Sequence, residues 1–303
     1  MMGRKGFALV LTLIITALMV AVTAELIHQV YVDTSLSRGF RDGQQASLLA
    51  ESGIEGGKKL LDLALSTQGY SSLSDKWAQP FKLDDETGSI TITAVEENGK
   101  ICLNDLVTGN ATHEALKRLG KQLELPENLW IALSDWIDPN DETQSGGAES
   151  TYYMTLKSPY RARNGKLVTL SELSLVKGFT PDVINKLKDY VTVYSEYGNS
   201  TIGTAKINVN TAPIKVLIAL HSQINNDLAN KLDFERKLKP FSSVGDLSRI
   251  QGFDKISQDL VPNCSVKGTV YRITSIARVK DTSRTVEAVI IQKDGTVLSW
   301  QEY

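Results

Sequence analysis

The feature that most constrains this chain is an uncharged run near its start, Phe7 to Ala24, reading FALVLTLIITALMVAVTA. Eighteen apolar residues are the lower limit for a helix that crosses the hydrocarbon core of a bilayer. Arg4 and Lys5 precede the run. Cations ahead of an apolar segment hold that end on the cytoplasmic side, so the bulk of the chain is expected across the membrane. The run is longer than a secretory signal core, and no A-x-A site stands cleanly after it. The rest is globular: among 303 residues, 33 Lys+Arg face 35 Asp+Glu, a net charge of −2. That balance argues against nucleic-acid binding through bulk charge.

The first proline is Pro80, and the sequence stays helix-compatible to about Leu65. Ala46, Leu49, Ala50, Gly53, Ile54, Gly57, Leu60, Leu61 and Ala64 recur at three- and four-residue steps, one face of a helix. A single helix from Phe7 to Leu65 would be roughly 88 Å long. Gly39 and Gly43 are its expected weak points. Strands are predicted at Ser89–Val95, Lys100–Leu103, Gly268–Val279, Thr285–Gln292 and Thr296–Trp300, from β-branched runs and intervening turn residues. Strands at both ends of the part after the stem, with helices between, predict an α+β fold: one antiparallel sheet carrying a large helical insertion.

Two stretches of the insertion look alike. GKICLNDL, HEALKRL and TLSELSLVKGF match AKINVNTAP, IKVLIAL and SVGDLSRIQGF, a pattern of internal duplication. The Gly-Phe pieces resemble helix-hairpin-helix units. DNA-binding hairpins present Gly-hydrophobic-Gly, whereas the turns here read Gly178-Phe179-Thr180 and Gly252-Phe253-Asp254. A packing or docking role is therefore favoured over a grip on phosphate.

The most distinctive stretch is the acidic loop 135–153, from Asp135-Trp136-Ile137-Asp138-Pro139-Asn140-Asp141-Glu142 through Glu149 to Tyr152-Tyr153. It reads either as a solvated acidic loop or as oxygen ligands for a hard cation such as Ca²⁺. Its spacing is not that of an EF-hand. Cys102 and Cys264 are each near a predicted strand, so they are either two buried thiols or a bridge in an oxidising compartment. His28, His113 and His221 are scattered, and no G-x-S-x-G, P-loop or G-x-G-x-x-G occurs. Nothing asks for catalysis, and no enzyme is expected.

Arg-Lys-Gly-Phe before the apolar run resembles the leader of type IV pilin-like proteins. The D-W-I-D, G-A-E, Y-Y, S-P-Y-x-x-x-N-G-K-L, L-S-E-L and I-N-V-N-T-A-P motifs strongly resemble the minor pseudopilin K family of type II secretion systems. The resemblance implies cleavage by a prepilin peptidase between Gly6 and Phe7 and N-methylation of Phe7. Most pilins carry Glu at the fifth mature residue, but here that residue is Leu11. Without that charge partner, a subunit suits the filament end. The implied fold is a stem helix packed on a pilin-like antiparallel sheet, with a helix-hairpin-helix or SAM-like insertion. The implied segments are leader 1–6, stem 7–65, sheet 66–104, insertion 105–263 and final strands 264–303. Calcium is implied, with ligand roles carried to Asp138, Asn140, Asp141 and Glu149 and a further or second-shell contact to Asp135. Minor pseudopilins I and J are the implied partners, and nucleic acid is not. The implied location is a single pass in the inner membrane with most of the chain in the periplasm. The expected function is to initiate or cap the tip of a periplasmic pseudopilus. Two alternatives stand beside it: a minor pilin of a type IV pilus or DNA-uptake apparatus, and a membrane-tethered helix-hairpin-helix DNA-binding protein.

Overall fold

The computed structural model describes residues 3–197 and 204–303, with side chains from Gly6 onward. Met1 and Met2 of the expected leader and residues 198–203 of the expected insertion lie outside the described residues. Helix α1 runs from Gly3 to Leu65 without interruption, passing through Gly39 and Gly43. From Gly6 to Arg41 it is exposed and packs on none of the described residues, leaving Phe7, Leu11, Ile14, Leu18 and Val22 open. Its length and composition suffice to cross a membrane.

Beyond Arg41 one face of α1 is buried. Ala50, Ile54, Leu61 and Leu65 form a core with Ile273, Ala277, Val286, Ala288 and Ile290. Small residues let helix and sheet approach closely. A Cβ at Gly57 would come 2.8 Å from Ile273 Cγ2. The sheet has the order β1-β2-β7-β8-β9, all antiparallel: β1 (Phe81–Asp85), β2 (Gly88–Glu96), β7 (Val270–Val279), β8 (Thr282–Ile291) and β9 (Val297–Glu302). The insertion lies between β2 and β7 and has its own core, from Ile101 to Cys264.

That core corrects the expected boundaries. Lys100–Leu103 was placed with the sheet, but β3 (Ile101–Cys102) pairs in parallel with β4 (Val191–Thr192), inside the insertion. Cys264, expected among the final sheet strands, lies in β6 (Cys264–Ser265), which pairs in parallel with β5 (Ile207–Asn208). The possible Cys102–Cys264 bridge is not formed. Both thiols are free and buried, in separate two-stranded ladders. Burial pushes Cys102 well above the ordinary thiol range and Cys264 up to about 12.

The duplication is visible in detail. Each copy opens on one short strand and closes by pairing it with another. The first copy holds α2 (Ala111–Gln122), α3 (Asn128–Ile137), α4 (Ser150–Tyr153), a 3₁₀ turn at Leu170–Leu175 and α5 (Pro181–Leu187). The second holds α6 (Ile214–Leu220), α7 (Asn226–Leu238), a 3₁₀ turn at Val244–Arg249 and α8 (Ser257–Leu260). Both 3₁₀ turns start with a capping box, Thr169 with Glu172 and Ser243 with Asp246. Gly178 and Gly252 adopt φ of +86° and +99°. A Cβ there would lie 2.6 Å from Leu129 Cδ2 and 2.7 Å from Leu228 Cδ2. So the Gly-Phe turns need glycine for conformation and for space, and they bury Phe179 and Phe253 in the core instead of presenting them.

One asparagine fastens each copy. Asn104 Nδ2 donates to the carbonyls of Leu167 and Val193, and its Oδ1 accepts from Leu167 N. Asn210 Nδ2 donates to the carbonyls of Phe241 and Val266, and its Oδ1 accepts from Phe241 N. Truncation strands these backbone groups, at about 1–3 kcal/mol for each buried group left unpaired. We therefore expect Asn210→Ala, where the asparagine is almost fully buried, to destabilise the insertion by about 3 kcal/mol. Urea denaturation followed by tryptophan fluorescence checks this; a change below about 1 kcal/mol would count against the fastening role.

Candidate metal centre

Helix α3 ends at Ile137, and the chain turns out through the cap residue Asp138. The loop then passes Asn140 and Asp141, closes over the helix at Gln144–Ala148, and re-enters the core at Glu149, which caps α4. Gln144 N donates to Asp135 Oδ2 at 3.2 Å. Gly147 passes so close to Asp135 that a Cβ has no room. Thus the loop roofs the last turn of α3.

This brings Asp135, Asp138 and Glu149 together. One carboxylate oxygen from each lies within 4.8 Å of the others. Asp135 and Glu149 are fully buried. Asp135 Oδ1 and both oxygens of Glu149 have no hydrogen-bond partner, and none of the three acids forms an ion pair among the described residues. Burial first, and then the charges of Asp135, Asp138 and Asp141, push Glu149 up to about 7. Burial also raises Asp135, against hydrogen bonds from the backbone of Gln144 and Ala148. Buried acids without donors or cations are expensive. A hard divalent cation takes oxygen ligands at about 2.3–2.6 Å, so ligands of one ion lie within about 5 Å of each other. The trio fits that size, and its all-oxygen chemistry suits Ca²⁺ rather than a soft metal.

Asn140 and Asp141 lie in the same loop but outside the trio. The Asn140 backbone N–H and Nδ2 donate to Asp138 Oδ1 at 3.1 and 2.8 Å, while its Oδ1 accepts from Glu142 N. Asp141 Oδ1 accepts from Ser150 Oγ at 2.8 Å and Asn164 Nδ2 at 3.0 Å. Those bonds hold its carboxyl below the usual range. Ser150, Asn164 and Gln144 were absent from the sequence expectation; no local spacing marks them, because Asn164 lies 23 positions from its partner. Trp136, Tyr153 and Tyr160 pack edge-on and stacked beneath the loop. Gly6 and Phe7 sit within α1, with open space around Gly6 and Phe7 exposed. Leu11 is exposed on the same helix.

A long apolar helix packed by its far half on an antiparallel sheet defines a membrane-anchored, pilin-like subunit, here with a duplicated helical insertion. The two family models that match residues 99–196 and 207–267 are both described as type II secretion system protein K, and they divide the chain at the boundary between the repeats. Type II secretion system protein K of Pseudomonas aeruginosa strain PAO1 is 28% identical over 265 residues, covering 82% of this chain and 77% of that protein. The Aeromonas hydrophila protein K is 25% identical, covering 95% and 93%. A chain in the crystal structure of the GspK–GspI–GspJ complex of enterotoxigenic Escherichia coli superposes with a TM-score of 0.74 at 21% identity, covering 88% of this chain and 99% of that one. The chain belongs to the type II secretion system protein K family, the minor pseudopilins also called GspK. The type IV pilus and DNA-binding alternatives find no support in these relatives.

A carboxyl whose folded pKa exceeds its unfolded value stabilises the fold while protonated. For Glu149 that contribution is complete below about pH 4.5 and is lost as the pH rises through about 7. In chelator, the melting temperature is expected to fall between about pH 5 and 8, and Glu149→Gln is expected to flatten that fall. Melting curves across this range provide the check; parallel profiles for the two proteins would exclude the assignment.

Proposed function

We propose that this protein initiates or caps the tip of a periplasmic pseudopilus. It is anchored in the inner membrane by the apolar end of α1, and it assembles with minor pseudopilins I and J. One observation carries the reading: the insertion is fixed to the end of α1 remote from the apolar segment. Lys267, next to the last strand of the insertion, donates to the carbonyls of Leu65 and Gln68 at 3.1 and 2.9 Å. Leu65 stands about 60 Å along the helix from Ala24. A duplicated bundle held there crowds lateral neighbours but is unobstructed at a filament end. Leu11 supports the same placement, because an apolar residue offers no acid to a neighbouring ammonium.

The partners' stems are proposed to pack on the β1 side of α1. There Leu60, Leu63, Trp77 and Phe81 line an apolar cavity of about 380 Å³. Leu63 and Phe81 are exposed, whereas Glu51, Glu55, Lys59 and Asp62 occupy the other flank. Leu63→Asp is expected to leave the melting temperature unchanged and to reduce co-purification with minor pseudopilins I and J at least tenfold. Undiminished co-purification would rule out this flank.

Calcium is proposed to sit between Asp135, Asp138 and Glu149, with loop carbonyls completing its shell. Bound there, the ion neutralises the three acids and pins the roof over α3. At calcium a hundredfold above Kd, linkage stabilises by about 2.7 kcal/mol, or roughly 5–10 °C for a unit of this size. Equal melting temperatures in calcium and in EGTA would reject the ion. The alanine variant of Asp135 is expected to abolish the shift.

A further inference from the structure

The roof of the acidic loop is held from two sides. Beneath it, the Gln144 and Ala148 N–H groups donate to Asp135 and leave its Oδ1 without a partner. Beside it, Lys177 Nζ donates to the Gly147 carbonyl at 3.0 Å. The Gly147 carbonyl and the Ala148 N–H are the two ends of one trans peptide unit, so they point in opposite directions. With the carbonyl drawn to Lys177, the Ala148 N–H is turned onto the Asp135 carboxylate. Lys177 Nζ also lies 4.8 Å from the centroid of the Tyr152 ring, and the Lys177 backbone N–H donates to Tyr153 Oη at 3.2 Å. Tyr152 and Tyr153 belong to α4, the helix that Glu149 caps. Lys177 stands directly before Gly178, whose left-handed turn is pressed against Leu129 of α3. One half-buried lysine thus joins α3, α4 and the roof, the three pieces that supply Asp135, Glu149 and their cover.

We propose that Lys177 is a positioning residue for the cation site: by holding the Gly147 carbonyl it aims the Asp135 carboxylate for a divalent ion. The inference rests on the reading that calcium sits between Asp135, Asp138 and Glu149. A group outside the ligand set that orients a ligand is typically worth about 10–100-fold in metal affinity. Charge alone gives the opposite sign, since an ammonium beside a cation site repels the ion and its removal would tighten binding. The second repeat has the same position without this task. There Gln251 precedes Gly252 and Phe253, as Lys177 precedes Gly178 and Phe179. Only 24 positions separate Leu228 from Gly252, against 49 between Leu129 and Gly178, so that copy lacks the acidic loop. Gln251 is exposed and forms no side-chain hydrogen bond among the described residues.

The test uses the full-length protein in detergent micelles and two measurements: amide hydrogen exchange in EGTA, and calorimetric titration with calcium chloride. Lys177→Met keeps an apolar stem over Tyr152 and removes both the donor and the charge. In EGTA the amides of residues 144–149 are expected to exchange about tenfold faster in this variant. In the titration its Kd for calcium is expected to rise by about tenfold or more. Lys177→Arg, which keeps a donor and the charge, is expected to restore both values, and Gln251→Ala to change neither. Unchanged exchange in Lys177→Met would show that the lysine does not hold the roof. An equal or lower Kd would show that it does not position Asp135. Either result overturns the proposal. If the wild-type protein binds no calcium, the calcium reading fails and this inference with it, and the exchange measurement, made without the ion, tells that failure apart from a latch that was never there.

Discussion

Three consecutive residues at the end of β2 join every part of this molecule. Glu96 is buried at the meeting of stem, sheet and second repeat. It accepts from Ser71 Oγ at 2.6 Å, Asn208 Nδ2 at 2.8 Å, Thr211 Oγ1 at 2.9 Å and Tyr271 Oη at 3.3 Å. Glu97 meets Lys100 and Arg272. Arg272 also lies over Tyr194, which follows β4 of the first repeat. Asn98 Oδ1 accepts from Thr269 N and Val270 N, which sets the start of β7. A shift of the insertion on the stem would therefore break several buried polar contacts at once, each costly in a low-dielectric interior. The two hydrophobic cores are separate, so this junction gives the insertion a fixed pose. Without a fixed pose, a bulky head at the end of a long helix would not present a defined surface.

The repeats share their framework and differ in one loop. The asparagine fastener, the capping box and the left-handed glycine recur at corresponding places, and all serve to close one short polypeptide circuit. These are the contacts a two-helix unit needs in order to end its backbone in paired strands. The additional residues of the first copy fall between α3 and its 3₁₀ turn, so they add a surface feature without disturbing the circuit. The difference between the copies is thus confined to what covers the second helix.

The strongly patterned elements were legible in the sequence. The stem, the final three strands and β2 announced themselves through periodicity, and the duplication through repeated motifs. The β1 strand was missed because Phe81–Asp85 is an edge strand with every residue exposed, so its composition carries no core signal. Ile101–Cys102 looked like a strand and is one, but its partner lies 90 positions away in the opposite half of the first copy. β-branched composition predicts a strand and says nothing about its neighbour. The glycines at 39 and 43 did not break α1, since helix length and the buried far half outweigh two local penalties. At the acidic loop, spacing gathered the right stretch but could not sort its acids. Whether an acid faces inward or is consumed by a serine or an asparagine depends on where Ser150 and Asn164 come to rest.

Three buried glutamates meet the same electrostatic problem in three ways. Burial raises Glu96, and neutral donors offset that cost: two hydroxyls, an amide and a phenol converge on its two oxygens. Burial opposes the charge of Glu97 as well, yet Lys100 and Arg272 outweigh it and hold the carboxyl below its ordinary range. Glu149 has neither remedy. Neither oxygen has a well-formed hydrogen bond, the Ser150 backbone N–H lowers its pKa only slightly against burial, and its charged neighbours are other acids. The fold equips two buried carboxylates with several partners each and leaves the third beside further carboxylates at cation-ligand separation, which supports the proposal of a cation there. That contrast within one molecule is the physical ground for proposing a cation at the loop and not at the junction.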